Sequence, residues 1–286
     1  MASLKEVKTR IISVENTKKI TVARQMISSA RLRQSQGVLE KVKRYQKEIT
    51  SMIANLNNPQ TPFAHPLTTP HDKGAVAIVI MSSNSGMCGS FNARMIKELN
   101  NLPATYPNEP LLFFPIGKKI REAAAHLGYS IHGHFDELAA KNSFALNADL
   151  VEQLITLFRA QTVKKVELVY YHYKNAMNQE IIYEQLLPYI LPGQSASTAG
   201  SDPDLPIFEP SRPAILSAVL PQAIKSQFYL ALADNQTAEH GARTLAMQLA
   251  SENANDLLDE LRLSYNKLRQ QNITSQLLDI VGGTFA

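Results

Sequence analysis

Hydrophobic residues near the start of the chain recur at alternating steps of three and four, the spacing of a coiled-coil seam. The residues are Leu4, Val7, Ile11 and Val14; Ile20, Ala23, Ile27 and Ala30; and Val38, Val42, Tyr45, Ile49, Met52 and Leu56. The phase changes between these three series, which predicts local changes in winding along the helix. Ser3 and Glu6 have the spacing of a capping box, so the helix is predicted to begin beside them.

A second apolar stripe runs along the end of the chain. It comprises Ala250, Ala254, Leu257, Leu261, Tyr265, Leu268, Ile273, Leu277 and Ile280. All fifteen prolines lie between Pro59 and Pro221, and proline interrupts helices, so both ends are predicted to form long helices. An amphipathic rod needs a partner for its apolar stripe. We therefore expect the two terminal helices to pair as an antiparallel coiled coil.

The middle of the chain alternates between strand and helix patterns. Strands are predicted at 75–82, 111–116, 166–173 and 180–187, and helices at 92–102, 118–127 and 149–160. This alternation indicates a Rossmann-like α/β domain inserted between the two long helices. The predicted divisions are the N-terminal coiled-coil helix 1–58, the α/β domain 74–192 and the C-terminal coiled-coil helix 211–286, with linkers at 59–73 and 193–210.

The positive charge is concentrated on the first helix. The chain has a net charge of +4, yet residues 1–58 alone carry twelve Lys or Arg against four Glu. Such a helix face can be simply solvated, or it can meet acidic protein loops, nucleic acid or an anionic membrane. No segment approaches the ~20 apolar residues of a membrane span. The start shows neither a secretory signal nor a transit peptide, and the single cysteine indicates a reducing compartment.

Candidate chemistry is sparse. The loop 82–92, SSNSGMCGSFN, follows a strand and opens a helix, as a phosphate-binding loop would, but it lacks a complete glycine fingerprint and is better interpreted as a tight turn. Cys88 is interpreted as a buried small hydrophobe rather than a nucleophile. His132 and His134 have no third ligand nearby in the sequence. No catalytic, cofactor-binding or metal-binding residue is predicted.

Both ends of the chain resemble one family. The opening MASLKEVKTRIISVENTKKITVARQMISSARLRQSQ is similar to the start of F-type ATP synthase gamma subunits. The ending resembles the C-terminal signature of that family through Ala238-Glu239-His240, Ala242-Arg243, Ala246-Met247, Asn253-Ala254, Leu263, Tyr265-Asn266, Arg269-Gln270, Ile273-Thr274 and Asp279-Ile280-Val281. The loop 82–92 resembles the inner loop of the family, and Arg24 stands where the family usually has Met.

The resemblance implies a rotor shaft without an active site or cofactor. Such a subunit couples rotation of the membrane c ring of a proton-translocating ATP synthase to ATP synthesis and hydrolysis at the alpha and beta subunits, and it also meets epsilon. It sits peripherally on the cytoplasmic face of the bacterial inner membrane. The implied beta-subunit contacts are Lys18, Lys19, Arg24, Arg269, Gln270 and Thr274, and the implied residues of an apolar alpha/beta sleeve are Leu277, Ile280 and Val281.

Two other classes of protein stay open from the residues alone. A small α/β enzyme with coiled-coil arms would bind a nucleotide at the loop 82–92. A basic coiled coil that binds nucleic acid would use the first helix, although Tyr45 is its only aromatic residue and no groove-reading motif is present. The rotor-shaft hypothesis is preferred, and it predicts no nucleic-acid partner.

Overall fold

The computed structural model describes residues 3–57, 64–107, 109–141, 143–192 and 208–284. Two long helices, α1 (Leu4–Leu56) and α6 (Arg212–Thr284), are the first and last elements of the chain. Between them lie β1 (Ala75–Met81), α2 (Phe91–Thr105), β2 (Leu111–Ile116), α3 (Lys118–His126), α4 (Asp136–Ala140), α5 (Phe144–Arg159), β3 (Val163–Tyr173) and β4 (Gln179–Leu187). The predicted fold class is confirmed. Of the predicted linkers 59–73 and 193–210, residues 59–63 and 193–207 lie outside the described residues.

The four strands form one mixed sheet in the order β2-β1-β3-β4. β1 pairs in parallel with β2 and β3, whereas β4 runs antiparallel to β3 at one edge. Every residue of β1 is buried, because helices cover both faces of the sheet. On one face Val79 packs in a core with Leu154 of α5, and on the other Ile78 packs with Met95 and Leu99 of α2.

The two long helices run antiparallel along each other, as predicted. Glu15 of α1 forms an ion pair with Arg262 of α6 at 3.2 Å, whereas Met52, near the end of α1, lies beside Val219, near the start of α6. The residue numbers therefore fall along one helix as they rise along the other. At about 1.5 Å per residue, α1 spans ~80 Å, which is longer than the strands of the sheet, so part of the pair projects as a rod beyond the sheet.

The coiled-coil seam of α1 keeps one phase along its whole length. Buried or half-buried side chains recur at Leu4, Val7, Ile11, Val14, Lys18, Thr21, Gln25, Ser28, Leu32, Ser35, Leu39, Val42, Gln46, Ile49, Ile53 and Leu56. These positions follow an unbroken heptad repeat. The predicted phase changes are therefore wrong. The apolar heptads at the two ends of α1 fix its orientation, so the central positions face α6 even though many are polar.

Several residues assigned to the seam from the sequence lie on the outside. Ile20 and Ile27 are each 56% exposed, Tyr45 is 53% exposed and Met52 is 42% exposed. On α6 the prediction is closer, because Ala254 and Leu261 are buried and Leu257 is half-buried. The sequence pattern thus contained two apolar stripes on α1, and only one of them faces the partner helix.

Candidate functional site

The end of α6 extends beyond the start of α1. Glu15 lies opposite Arg262, and Leu4 lies eleven residues before Glu15, so α1 begins opposite about residue 273 of α6. Large apolar side chains are exposed on this last stretch. They are Ile273 (49%), Leu277 (57%), Leu278 (65%), Ile280 (65%) and Val281 (51%). We call residues 273–284 the tip of the rod, and its apolar surface is the kind that binds another protein.

The predicted beta-subunit contacts lie at two levels of the rod. Lys19 and Arg24 are exposed on α1, whereas Lys18 is half-buried in the seam. Arg269, Gln270 and Thr274 are exposed on α6, near the tip. From the Glu15–Arg262 pair, Lys18 lies opposite about residue 259, so ten residues, or ~15 Å, separate the two groups along the axis. The structure does not bring the six residues together into one patch.

Sequence reasoning missed an exposed apolar stripe on α1. Ile12 (51%), Ile20 (56%), Met26 (68%) and Ile27 (56%) turn away from α6 into solvent. These side chains are interleaved with exposed basic residues of the same helix, including Lys19. The sequence did contain a signal for this stripe. The three-and-four spacing that begins at Leu4 can be continued without a break along α1, and that continuation leaves these four residues outside the seam. The stripe and the tip are exposed apolar features of the projecting rod, as is Leu263 of α6, which is 73% exposed.

At the other end of the rod, α6 passes through the interior of the α/β domain. Residues 231–239 are all buried, so this segment is covered on every side. Several of its side chains are polar, and burying a polar group is favourable only when it finds a partner. We call the contacts of 234–243 with the rest of the fold the junction.

Side chains of α6 take the place of a neighbouring strand at the end of β3. The pairing of β1 with β3 ends at Ile80 and Val169. Beyond that point the backbone N–H of Tyr171 donates to Asn235 Oδ1 at 3.2 Å, and that of Tyr173 donates to Asp234 Oδ1 at 3.0 Å. Asp234 Oδ2 also lies 2.6 Å from His172 Nδ1.

The junction also ties α6 to α4 and to the loop after β1. Gln236 Nε2 donates to the carbonyl oxygen of Leu138 at 2.8 Å. Arg243 forms a buried ion pair with Glu239 at 2.7 Å and donates to Ser85 Oγ at 3.1 Å. Burial raises the pKa of the Glu239 carboxyl, and Arg243 opposes that rise. α6 is thus hydrogen-bonded to three separate parts of the α/β domain, the elements from β1 to β4, which we call the base. These bonds favour rigid movement of rod and base together.

The loop 82–92 folds around the side chain of Asn92. Asn92 Oδ1 accepts hydrogen bonds from Ser83 N at 3.3 Å and Ser83 Oγ at 2.9 Å, and its Nδ2 lies 3.2 Å from Cys88 Sγ. Cys88 is 2% exposed, and burial raises the pKa of its thiol. A thiol held in this way is a poor nucleophile at neutral pH. The geometry is that of the tight turn favoured from the sequence.

The described ranges hold neither a cluster of metal ligands nor a helix that could span a membrane. Nowhere in them do three or more His, Cys, Asp or Glu side chains come together in a way that could hold a metal ion. None of the helices described there is long and apolar enough to cross a membrane. The junction is a structural polar arrangement, whose hydrogen bonds hold the rod to the base.

These features define a class of protein, a two-helix shaft fixed in an α/β base. The model of the ATP synthase family matches residues 3–286. The chain is 41% identical to the ATP synthase gamma chain of Bacteroides fragilis, with 100% of both chains covered. It is 35% identical to that of Flavobacterium johnsoniae, with 100% of this chain and 99% of the relative covered. The chain belongs to the ATP synthase gamma chain family, which confirms the resemblance noted in the sequence.

Solved structures agree on the fold. A chain of the Euglena gracilis mitochondrial ATP synthase, in an assembly of OSCP, F1 and c-ring, superimposes with a TM-score of 0.63 at 17% identity, covering 99% of this chain and 93% of that one. A chain of the Tetrahymena thermophila mitochondrial ATP synthase central stalk and c-ring gives a TM-score of 0.56 at 20% identity, covering 81% and 99%. The long helix pair with its base is therefore an arrangement found in both of these assemblies.

Proposed function

We propose that this chain is the non-catalytic central rotor of a proton-translocating F-type ATP synthase. It would couple rotation of the membrane c ring to ATP synthesis and hydrolysis at the sites of the alpha and beta subunits. The observation that carries this function is the projecting rod, which ends in an exposed apolar tip and is held to its base by a buried polar junction. A shaft of this kind can transmit torque without any chemistry of its own.

The six predicted contacts with the beta subunit are part of this proposal. Lys19 and Arg24 are exposed cations halfway along the rod, where acidic loops of a surrounding ring could reach them. Lys18 is half-buried in the seam, so only part of its side chain is available. The three residues near the tip, Arg269, Gln270 and Thr274, are exposed and polar, and they suit directional hydrogen bonds to a second set of loops.

The apolar tip suits a rotating contact. We propose that Leu277, Ile280 and Val281 turn inside an apolar sleeve formed by the alpha and beta subunits. All three are more than half exposed in the free chain, at 57%, 65% and 51%. Hydrophobic contact is non-directional, so such a surface keeps its favourable free energy as the shaft turns.

The base would supply the remaining contacts. The proposed division keeps 1–58 and 211–286 as the coiled coil, 74–192 as the α/β domain, and 59–73 and 193–210 as linkers. The base of the coil and the α/β domain would meet epsilon and the c ring. The complex would hold the chain peripherally at the cytoplasmic face of the bacterial plasma membrane, and the bacterial origin of the relatives supports this location.

Co-expression with the alpha and beta subunits of the same genome tests the proposal. We expect a stable complex that hydrolyses ATP, whereas the purified chain alone gives no turnover. ATP hydrolysis by the chain alone, or failure of a folded chain to join the other subunits, would contradict it.

A pair of variants tests the proposed contacts. Lys19→Glu reverses an exposed charge at a proposed contact, so it should weaken assembly or reduce ATP hydrolysis by the complex. Lys47→Glu makes the same change at an exposed position of α1 outside the proposed beta-subunit contacts and should have little effect on the complex with alpha and beta. Equal effects of the two changes would remove the support for a specific contact at Lys19.

A further inference from the structure

A polar cavity of about 450 Å³ opens where the rod enters the base. Its walls come from α1, from α6, from the loop after β1 and from the end of α4. The side chains that matter for its chemistry are Arg31 and Ser35 of α1, with Glu239, His240 and Arg243 of α6. The only aliphatic side chains in its lining are Val38, Ala139 and Ala140, so among the described residues the cavity offers little surface to an apolar ligand.

The charged groups of this cavity leave one positive charge uncompensated. Arg243 and Glu239 neutralise each other through their 2.7 Å ion pair. Arg31 lies at the cavity wall and forms neither a hydrogen bond nor an ion pair with any other residue in the described ranges. Arg31 is exposed at the edge of the cavity, and its positive charge acts on both Glu239 and His240. Its guanidinium therefore gives the cavity a net positive charge and N–H donors that can bind an anion.

His240 adds an unused hydrogen-bonding group. Its Nδ1 atom is buried and has no partner among the described residues. Burial, together with the nearby Arg243 and Arg31, lowers the pKa of this imidazole to about 4, so the ring is neutral at pH 7. The charged groups around it are Arg31 on α1 and Glu239 and Arg243 on α6, while the loop after β1 and α4 contribute uncharged side chains to the cavity. The cavity is thus an electropositive space with an orphaned polar atom.

We propose that this cavity binds a small oxyanion of the phosphate class. Arg31 supplies the counter-charge, the neutral imidazole of His240 supplies an N–H donor, and the hydroxyl of Ser35 lies in the same wall. Guanidinium groups suit phosphate oxygens because several N–H groups donate in one plane. Because α1, α6 and the base all contribute walls, a bound anion would connect the rod to the base and stabilise the folded chain.

Phosphate chemistry can come from free inorganic phosphate or from the phosphate group of a nucleotide. The lining in the described residues contains no aromatic ring other than the imidazole of His240 on which a base could stack. We therefore expect inorganic phosphate to bind without help from a nucleoside. A parallel titration with ADP distinguishes the sources, since tighter binding of ADP with the same dependence on Arg31 would assign the phosphate group to a nucleotide.

Isothermal titration of the full chain with sodium phosphate at constant ionic strength tests the proposal. We expect one saturable site, and Arg31→Gln should weaken it by about tenfold or more, because a charge-assisted hydrogen bond is lost. The matched control is Arg33→Gln, which removes an exposed cation from the same helix outside the cavity and should leave the affinity unchanged. Circular dichroism establishes that both variants are folded.

A second readout follows the imidazole directly. In histidine-labelled chain, NMR titration should show the pKa of His240 rising when phosphate is present, because a bound anion favours the protonated ring. No saturable binding to the original chain, an unchanged affinity in Arg31→Gln, or equal losses in the two arginine variants would overturn the proposal. The test involves no partner subunit, so its failure leaves the proposed rotor function intact.

Discussion

Individual polar residues on α6 accept backbone hydrogen bonds that a neighbouring β-strand would otherwise accept. Asp234 and Asn235 lie in a stretch of helix that is buried on all sides, and their side chains accept backbone N–H groups at the end of β3. An N–H buried there without a partner would cost free energy comparable to a lost hydrogen bond. Asp234 and Asn235 are therefore polar, although the helix is buried there, because the end of β3 needs hydrogen-bond acceptors.

Asp234→Ala should destabilise the folded chain by about 1–3 kcal/mol, because Tyr173 N and His172 Nδ1 lose a buried partner. Urea unfolding, followed by circular dichroism, measures the change. Asp256→Ala removes an exposed carboxylate from the same helix and should change stability by less than about 0.5 kcal/mol. Similar losses in both variants would contradict the role given to Asp234.

Stability should also depend on pH through His240. In the folded chain its pKa is lowered to about 4, whereas an unfolded histidine titrates near ~6.5. Between these values the unfolded chain binds more protons. The stability that depends on neutral His240 is thus fully present above about pH 6.5 and is lost as the pH falls toward about 4.

His240→Gln should flatten this part of the stability profile, measured by urea unfolding at a series of pH values in phosphate-free buffer. His126→Gln, at an exposed position of α3, should leave the profile unchanged. A profile of His240→Gln that keeps the full slope between pH 4 and 6.5 would show that other groups cause it.

Local interactions at the residue scale could be predicted from the sequence, and distant ones could not. The capping box joins Ser3 and Glu6, which are three residues apart, and both of its hydrogen bonds are present, at 2.8 and 3.3 Å. Asp234 and Tyr173 are sixty-one residues apart in the chain. Nothing in the sequence near Asp234 says which backbone group it will meet.

At the scale of single elements, α1 has a seam of uneven composition. Its ends are apolar, but Lys18, Thr21, Gln25 and Ser28 occupy successive seam positions in the middle. Polar residues at such positions weaken a coiled coil while helping to fix its register. The apolar stretch from Leu39 to Leu56 therefore contributes most of the hydrophobic anchoring of α1.

The phase of the seam can be tested with two adjacent residues. Ile53 is fully buried at a seam position, whereas Met52 is 42% exposed. Ile53→Ala should cost about 2–5 kcal/mol, because it leaves a cavity in the core. Met52→Ala should cost less than about 1 kcal/mol, since its side chain stays in contact with solvent. Thermal or urea unfolding compares them, and a larger loss for Met52→Ala would restore the phase inferred from the sequence.

Element types were predictable because periodicity is a strong local signal. Each predicted strand and helix of the middle region corresponds to an element of the structure, whereas α4 (Asp136–Ala140) was not predicted. Its five residues are too few to show a helical period. The seam phase was not predictable in the same way, because two apolar stripes on α1 compete and only the position of α6 decides between them.

On the scale of the whole molecule, the projecting two-helix rod is joined to a well-packed base. The rod is thin and exposes apolar side chains at its tip, whereas α6 becomes fully buried where it meets the sheet. Torque applied to the base would thus reach the rod through the junction. The antiparallel pairing was predictable, because neither rod could bury its stripe alone; the junction was not, because it joins parts of the chain that are distant in sequence.

Replacing Leu277, Ile280 and Val281 of the tip together by serine should separate folding from assembly. The stability of the free chain should change little, because these side chains are more than half exposed. Association with the alpha and beta subunits should weaken by about tenfold or more, since apolar surface in the proposed sleeve is lost. Equilibrium binding measures the affinity.

The control for the tip carries Gln271→Ser and Gln276→Ser, which change exposed polar residues in the same region. It should bind the other subunits as the original chain does. Unchanged binding after loss of the three apolar residues would argue against the sleeve.

Single-molecule rotation tests the central claim most directly. Met177, 84% exposed between β3 and β4, can be replaced by cysteine for attachment of a probe, because Cys88 is buried and should not react. With the alpha and beta subunits fixed to a surface, ATP should drive the probe around in one direction through full turns. A probe that stays still while the same complexes hydrolyse ATP would contradict the identification of this chain as the rotating shaft.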